Sequence, residues 1–295
     1  LTGIASFLIV MFSFIIPLSV NIDNQIVSNN ATKINNSKTD FEKVLSGESI
    51  DDKEKVDEGL DLSNILEDVF KFDELPEDTV RLSASTIEQL FKDTNYSLSE
   101  VRRTKKVKPI RLSLLPNEMK SIESSGKRKS LFIKIILPLV LEENNRIIID
   151  RKKLFSILNK NKNSKDEIKW LNQKFKQYGV VNKDLATLKV RMDIIPVSLA
   201  IAQAAKETGW GTSRFAIEGN ALFGQWTWSG EGIKPAGADT NATYKVMKFN
   251  VLKASVRAYQ RNLNTHSSYK KFRFVRAQLR DDNKKLAVSY THLRA

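Results

Sequence analysis

The chain has 295 residues, of which 41% are hydrophobic, enough for at least one real core and for one or two domains. It carries a formal net charge of +14, no cysteine and only two histidines. Disulfides, cysteine-based zinc sites and cysteine nucleophiles are therefore excluded, and a multi-histidine metal site or a serine triad fits poorly. No cofactor and no metal is expected, so any chemistry has to use carboxylates, tyrosines or amides.

The charge is uneven. Between Asp40 and Val80 there are 15 Asp or Glu against 4 Lys, a net of −11 that leaves +25 on the rest of the chain. A basic domain expects a polyanion, and nucleic acid, anionic lipid and bacterial wall polymer all qualify.

Residues 1–20 (LTGIASFLIVMFSFIIPLSV) contain no charge and approach the ~20 apolar residues that span a bilayer. They read as a signal peptide core or an uncleaved membrane anchor. Residues 21–107 read as a mostly disordered acidic and polar tether, because their first 40 residues are too poor in apolar side chains to offset ordering entropy. Helical spacing is visible within it at Leu62–Phe72 and Ser85–Phe91, and it ends in the basic run RRTKKVK, a solvated boundary or an anion-binding patch.

Residues 108–184 form a helical extension. Asn117–Ser124 suit a capped turn or short helix, and the apolar density from Ser130 predicts a buried helix kinked near Pro138, too interrupted by charge to be a second membrane span. Asp150 is placed to cap the next helix. Lys165–Tyr178 is amphipathic through Ile168, Leu171 and Phe175, and Gly179 is suited to stop it.

Residues 185–287 hold the most informative stretch. Pro196 fits the first turn of a helix over Val197–Thr208, whose Ala200, Ala202, Ala204 and Ala205 let neighbouring helices approach closely. That helix delivers Glu207 to the turn Gly209-Trp210-Gly211. Burial against apolar surface raises the pKa of a carboxylic acid, so a rigidly held glutamate beside a tryptophan reads as a single general acid, with Trp210 keeping it dry. Farther on, Tyr244–Phe249 alternates like a strand, Leu252–Leu263 is amphipathic, and Lys271–Arg280 is a basic helix. Residues 288–295 (VSYTHLRA) read as an unrelated translated scar.

The run AQAAKETGWGTSRFAIEGNALFGQW resembles the signature of the bacterial glucosaminidase family, which includes flagellar wall-cutting enzymes and Bax-like envelope proteins. The later YKVMKFNVLKASVRAYQRNLNTHSSYKKFR and the earlier LFIKIILPLVLEENNRI resemble the Bax-like subgroup, so the likeness covers roughly residues 108–280. Thr208 stands where the family pattern has Ser after the acid. The resemblance implies a mainly α (α+β) chain. Its lysozyme-like domain would have a small β lobe and would act as an endo-β-N-acetylglucosaminidase on the β-1,4 bonds of peptidoglycan.

By position, Glu207 is then the catalytic acid, and Tyr269 falls where the family keeps a tyrosine close to the acid; a core role is the other reading of Tyr269. Glycosidases normally pair two carboxyls. Glu231 and Asp239, in the Gly-rich stretch, are the candidates for the second, with assistance from the substrate's own acetamido group as the third possibility; Glu218 reads as structural. Asn220, Phe223, Gln225 and Trp226 are candidate cleft residues, where amides meet hydroxyls and aromatic faces stack on sugar rings. Tyr244 is a further candidate substrate-binding residue that strand packing explains equally well; for Phe223 the core reading comes first, and His266 reads as a helix-end residue.

The expected partners are peptidoglycan glycan strands and, through the N-terminal segment, a membrane; no nucleic acid is expected, and the chain would sit in the bacterial envelope. Two other functions fit the same residues. One is a lytic transglycosylase, which uses one acid and forms an anhydro product; the other is a wall-binding protein without activity.

Overall fold

The computed structural model describes residues 65, 66, 69, 79–228, 231–239 and 243–281. The expected leader, most of the tether and the C-terminal scar lie outside these residues. All described residues belong to one compact unit, Gly59–Ala295. Nine α-helices and a three-stranded sheet are found among them, a mainly helical architecture with a small β element as the sequence predicts.

Two short helices open the described part, α1 (Ala84–Asp93) and α2 (Leu98–Thr104). Each starts on a serine, Ser83 or Ser97, whose hydroxyl accepts a backbone N–H three residues on. They are not tether: Ile87, Phe91, Tyr96, Val101 and Val107 all enter the main core. The tether reading of residues 21–107 is corrected from residue 84 onward, where apolar positions are sparse but placed on one face.

A 3₁₀ turn (Asn117–Lys120) leads into α3 (Ser125–Leu158), 34 residues and so about 50 Å long. It runs through Pro138, and Leu137, Pro138, Leu139 and Val140 are all buried, so packing on every side offsets the lost backbone hydrogen bond. It also runs through Asp150, which caps nothing and instead accepts from Lys174 Nζ at 2.6 Å. The predicted break there is corrected: α3 continues because Leu154 and Ile157 still have a core to enter.

Helix α4 (Lys165–Gln177) begins with a reciprocal capping box between Ser164 and Glu167 and stops at Gly179, whose φ is 61°. Helices α5 (Leu185–Arg191) and α6 (Val197–Thr208) come next, then α7 (Arg214–Gly219). The strands β1 (Trp226–Thr227), β2 (Gly232–Ile233) and β3 (Lys245–Met247) make an antiparallel sheet in the order β1-β3-β2, with Trp226 opposite Val246 and Gly232 opposite Met247. Helix α8 (Leu252–Thr265), a 3₁₀ turn (Ser267–Tyr269) and α9 (Lys270–Asp281) complete the fold.

The main core joins α1, α2, the first half of α3, α6 and α8. A second cluster joins the end of α3 to α4 and α5, and a third packs Leu66 and Val69 on Met247, Phe249, Ala254 and Ala258. The first two clusters both draw residues from either side of residue 185, so the helical extension shares its cores with the C-terminal part of the chain.

Helix α6 packs on α3, which also packs on α8, and a buried polar network sets the start of α6. Asn144 of α3 grips both backbone groups of Ile195, donating to its carbonyl at 2.8 Å and accepting from its N–H at 3.0 Å, while Gln260 of α8 donates to the same Asn144 oxygen at 3.1 Å. Beside it, Arg257 donates twice to the carboxylate of Glu143, at 3.0 and 2.8 Å. Burial pushes the pKa of Glu143 up, but the Arg257 hydrogen bonds and the charges of Arg146, Arg257 and Lys253 outweigh it and hold the carboxyl below its ordinary range. On the far side, Arg276 donates to Val190, Ile194 and Asn264, and Asn264 donates to Asp193, which pins the linker into α6.

Candidate functional site

The site grows from the C-terminal end of α6. Ala200, Ala204 and Ala205 are buried, and the last turn carries Glu207 outward. The chain then reverses sharply. Gly209 caps the helix at φ 57°, Trp210 comes next at φ 62°, and Trp210 N–H donates back to Ala205 O at 2.8 Å. Thr208 is buried; its hydroxyl donates to Ala204 O at 2.6 Å and accepts from Gly211 N–H at 2.9 Å. A serine hydroxyl makes the same two bonds, which explains why the exchange at 208 is tolerated.

Gly211 has φ 80°, and a Cβ there would lie 3.0 Å from Phe132, 3.2 Å from Met119 and 3.3 Å from Leu115. Only glycine fits.

The reversal overturns one expectation. Trp210 does not shield the acid: its ring meets Phe132 of α3 edge-on, 6.0 Å between centroids, with the Lys129 ammonium 5.2 Å above it. Glu207 is exposed, and among the described residues its carboxyl has no hydrogen bond and no ion pair. The two αL residues 209 and 210 turn the tryptophan onto α3 and leave the carboxylate at the surface.

Two other segments come close to that carboxylate. A Cβ built at Gly224, where φ is 58°, would lie 3.4 Å from Glu207 Oε2, so the 222–225 loop runs beside the carboxyl group. Tyr269, half-buried, lies near enough for the charge of Glu207 to act on its phenol. Burial raises its phenol pKa above the ordinary value and the charge of Glu207 raises it further, so the hydroxyl keeps its proton. The structure thus brings Glu207, the 222–225 loop and Tyr269 together.

The remaining candidates divide. Trp226 and Tyr244 meet edge to face on the sheet, 5.4 Å apart, and both are exposed. Phe223 lies flat on Tyr259, 3.9 Å and 6° apart, at the margin of the main core. Gln225 is half-buried; its carbonyl accepts from Met247 N–H at 2.8 Å, and its side-chain oxygen is enclosed without a hydrogen-bond partner.

Asn220 is a scaffold residue rather than a cleft residue. It is buried, ends α7 at φ 49°, and donates its amide hydrogens to Phe249 O and Asn250 O. Glu231 and Asp239 are exposed on the segment that carries β2, and neither is bonded to Glu207. Glu218 sits 3.6 Å from Arg214 on the outer face of α7, a structural placement. His266 caps the 3₁₀ turn, its Nδ1 accepting from Ser268 N–H at 3.2 Å.

Two residues were not anticipated. Trp228 is 68% exposed just after β1, and two tryptophans two residues apart in an extended stretch were the available signal. Gln203 lies one turn before Glu207 on α6, and the i, i+4 spacing marks it.

Among the described residues no three histidine or carboxylate side chains cluster. No helix among them is long and apolar enough to cross a membrane. A cavity of about 590 Å³ lies elsewhere, between α1, α2 and Lys134 of α3, and shares no residue with this site.

Comparison with known proteins agrees with the geometry. Residues 182–292 match a family model described as mannosyl-glycoprotein endo-beta-N-acetylglucosaminidase, under the name Glucosaminidase. The chain is 36% identical over 186 residues to "Protein bax" of Escherichia coli (strain K12), a match that covers 60% of this chain and 65% of that protein's length. No solved structure matches the chain. The resemblance read from the sequence is thereby borne out: residues 182–292 match the glucosaminidase family model, and the chain is similar to a Bax protein over about two thirds of that protein's length.

Proposed function

We propose that the chain is a glycoside hydrolase of the bacterial envelope that cuts β-1,4 bonds next to N-acetylglucosamine in peptidoglycan, with Glu207 as the general acid. The observation that carries this reading is an exposed carboxyl at the end of a helix buried along one side, with the Gly224 loop running beside it and Tyr269 within reach of its charge. The family match supports the glycan as substrate. Trp226, Trp228 and Tyr244 offer a line of exposed aromatic faces on which sugar rings stack.

In the reaction Glu207 gives its proton to the glycosidic oxygen as the bond from the anomeric carbon to that oxygen breaks. A water oxygen adds to the anomeric carbon and its proton goes to a base. Glu231 or Asp239 takes that proton; in the third route the substrate's acetamido oxygen bonds the anomeric carbon as the leaving oxygen departs, and water then displaces it while the deprotonated Glu207 takes the water's proton. Tyr269 hydrogen-bonds the reacting acetamido group or orients the Glu207 carboxyl. A lytic transglycosylase, which needs one acid and no second carboxyl, is the alternative use of the same Glu207. There a hydroxyl of the sugar itself attacks, and the product is lighter by one water.

Replacing Glu207 with Gln keeps the shape and removes the proton. Cleavage of purified wall sacculi should fall about 10²- to 10⁴-fold, the usual size of a general-acid contribution, with an unchanged melting temperature. Near-normal cleavage by that variant would overturn the assignment. Mass spectrometry of products from the wild type separates the hydrolase from the transglycosylase. Wild-type protein that sediments with sacculi and leaves them intact over a range of pH would instead mark a wall-binding protein.

A further inference from the structure

Gln203 and Glu207 are four residues apart on α6, so their side chains leave the same face of the helix. Across from them, Tyr259 of α8 is buried and donates its hydroxyl hydrogen to Gln203 Oε1. Phe223 lies flat on the Tyr259 ring, and the next residue, Gly224, runs beside the Glu207 carboxyl. Gln203 is therefore held between the floor of the core and the loop that borders the acid.

The hydrogen bond decides what Gln203 offers. Tyr259 bonds its oxygen, and no group among the described residues bonds its NH₂, so the amide has an uncharged pair of donors to offer. Gln203 is only partly buried, so a ligand can reach it. An uncharged donor pair one helical turn from a carboxyl suits a carbonyl oxygen, and on an N-acetylated glycan backbone the acetamido group supplies that carbonyl.

We infer that Gln203 is a substrate-positioning residue that donates to the acetamido carbonyl of the sugar bound against Glu207, with Tyr259 fixing the orientation of the amide. The inference rests on the glycan-cleaving function proposed above. It assigns Gln203 the recognition of N-acetylation, a specificity separate from proton transfer.

The test measures affinity in the Glu207→Gln protein, which leaves the ligand uncut. The probes are a β-1,4-linked oligomer of N-acetylglucosamine and its de-N-acetylated counterpart. Gln203→Met, which keeps the side-chain length and removes the donors, should weaken binding of the N-acetylated oligomer about ten-fold, the size of one ordinary hydrogen bond, and change the de-N-acetylated one less than about two-fold. Tyr259→Phe should give a smaller loss with the same preference, because the freed amide can rotate.

Gln203→Met with undiminished affinity for the N-acetylated oligomer would overturn the inference, as would an equal loss for both oligomers, which marks a structural role. If neither oligomer binds the Glu207→Gln protein at all, the glycan reading fails first, and the inference with it. Active Glu207→Gln protein, by contrast, would count against the acid assignment alone.

Discussion

The helix that carries Glu207 and the sheet that carries Trp226 are built on opposite principles. Helix α6 is fixed at its start by Asn144 and Gln260, along its length by close alanine packing, and at its end by Thr208, Gly209 and Gly211. Every one of these constraints is buried or sterically tight. The sheet has strands of two or three residues, and its aromatic side chains point to solvent. The contrast teaches a division of labour: α6 holds the acid at one position, while the sheet presents a surface whose cost in stability is small and whose value lies in contact with a ligand.

The largest expected effect comes from breaking the clamp below α6. In Arg257→Ala, Glu143 is left as a buried charge with its two best hydrogen bonds removed, and breaking such a pair costs about 3–5 kcal/mol. Chemical denaturation at neutral pH checks it, and a loss below about 1 kcal/mol would show that Arg146 and Lys253 suffice.

The sign with pH comes from the depressed pKa of Glu143. Its contribution is full above the unfolded value of 4.5 and is lost as the pH falls through the lower folded value, so the wild type should lose stability steeply below about pH 4.5. The Arg257→Ala protein should show a flatter acid limb.

The clamp also shows how far the sequence could be read. The helix over Val197–Thr208, its proline start and its glycine end are local chemistry, and they are legible because each depends on residues within one turn. The strand at Lys245–Met247 and the existence of α8 were legible for the same reason. The amphipathic pattern expects a solvent face, however, and α8 is buried nearly all round, its polar Arg257, Gln260 and Asn264 included.

What was not legible depends on partners far along the chain. Asp150 has the chemistry of a cap, yet Lys174 and the second core keep α3 running through it. Residues 84–107 read with the tether despite the helical spacing at Ser85–Phe91, because only the distant α3 shows where Ile87, Phe91 and Tyr96 pack. Asn220 looks like a sugar ligand, yet its amide closes the Phe249–Asn250 turn. Nor could the spacing of Trp210 show that two consecutive left-handed residues would swing its ring onto Phe132 and leave Glu207 in the open.

A smaller effect is expected at the turn itself. A Cβ at Gly211 has three side-chain atoms within 3.0–3.3 Å, and φ 80° is costly for any other residue. Gly211→Ala should cost about 1–3 kcal/mol from overpacking, with a further backbone penalty of about 1–3 kcal/mol. Because the turn adjoins Glu207 directly, cleavage should fall along with the melting temperature, which sharpens the view that scaffold and acid are one unit here. A variant that loses stability and keeps full cleavage per folded molecule would separate them.

The smallest effect on stability should come from the sheet. Trp226 is 43% exposed and touches Tyr244 edge to face, so Trp226→Ala should shift stability by less than about 0.5 kcal/mol, as for most surface changes. Its effect should appear in binding instead: an aromatic anchor contributes about 1–2 kcal/mol, or roughly five- to thirty-fold in affinity for a glycan strand. Measured in the Glu207→Gln background, sedimentation with sacculi reads the binding and thermal melting reads the fold. The two should part company at Trp226 and move together at Gly211. If Trp226→Ala instead lowered the melting temperature and left sedimentation unchanged, the sheet would be scaffold like α6, and the recognition surface would have to be sought on the Phe223 side of the acid.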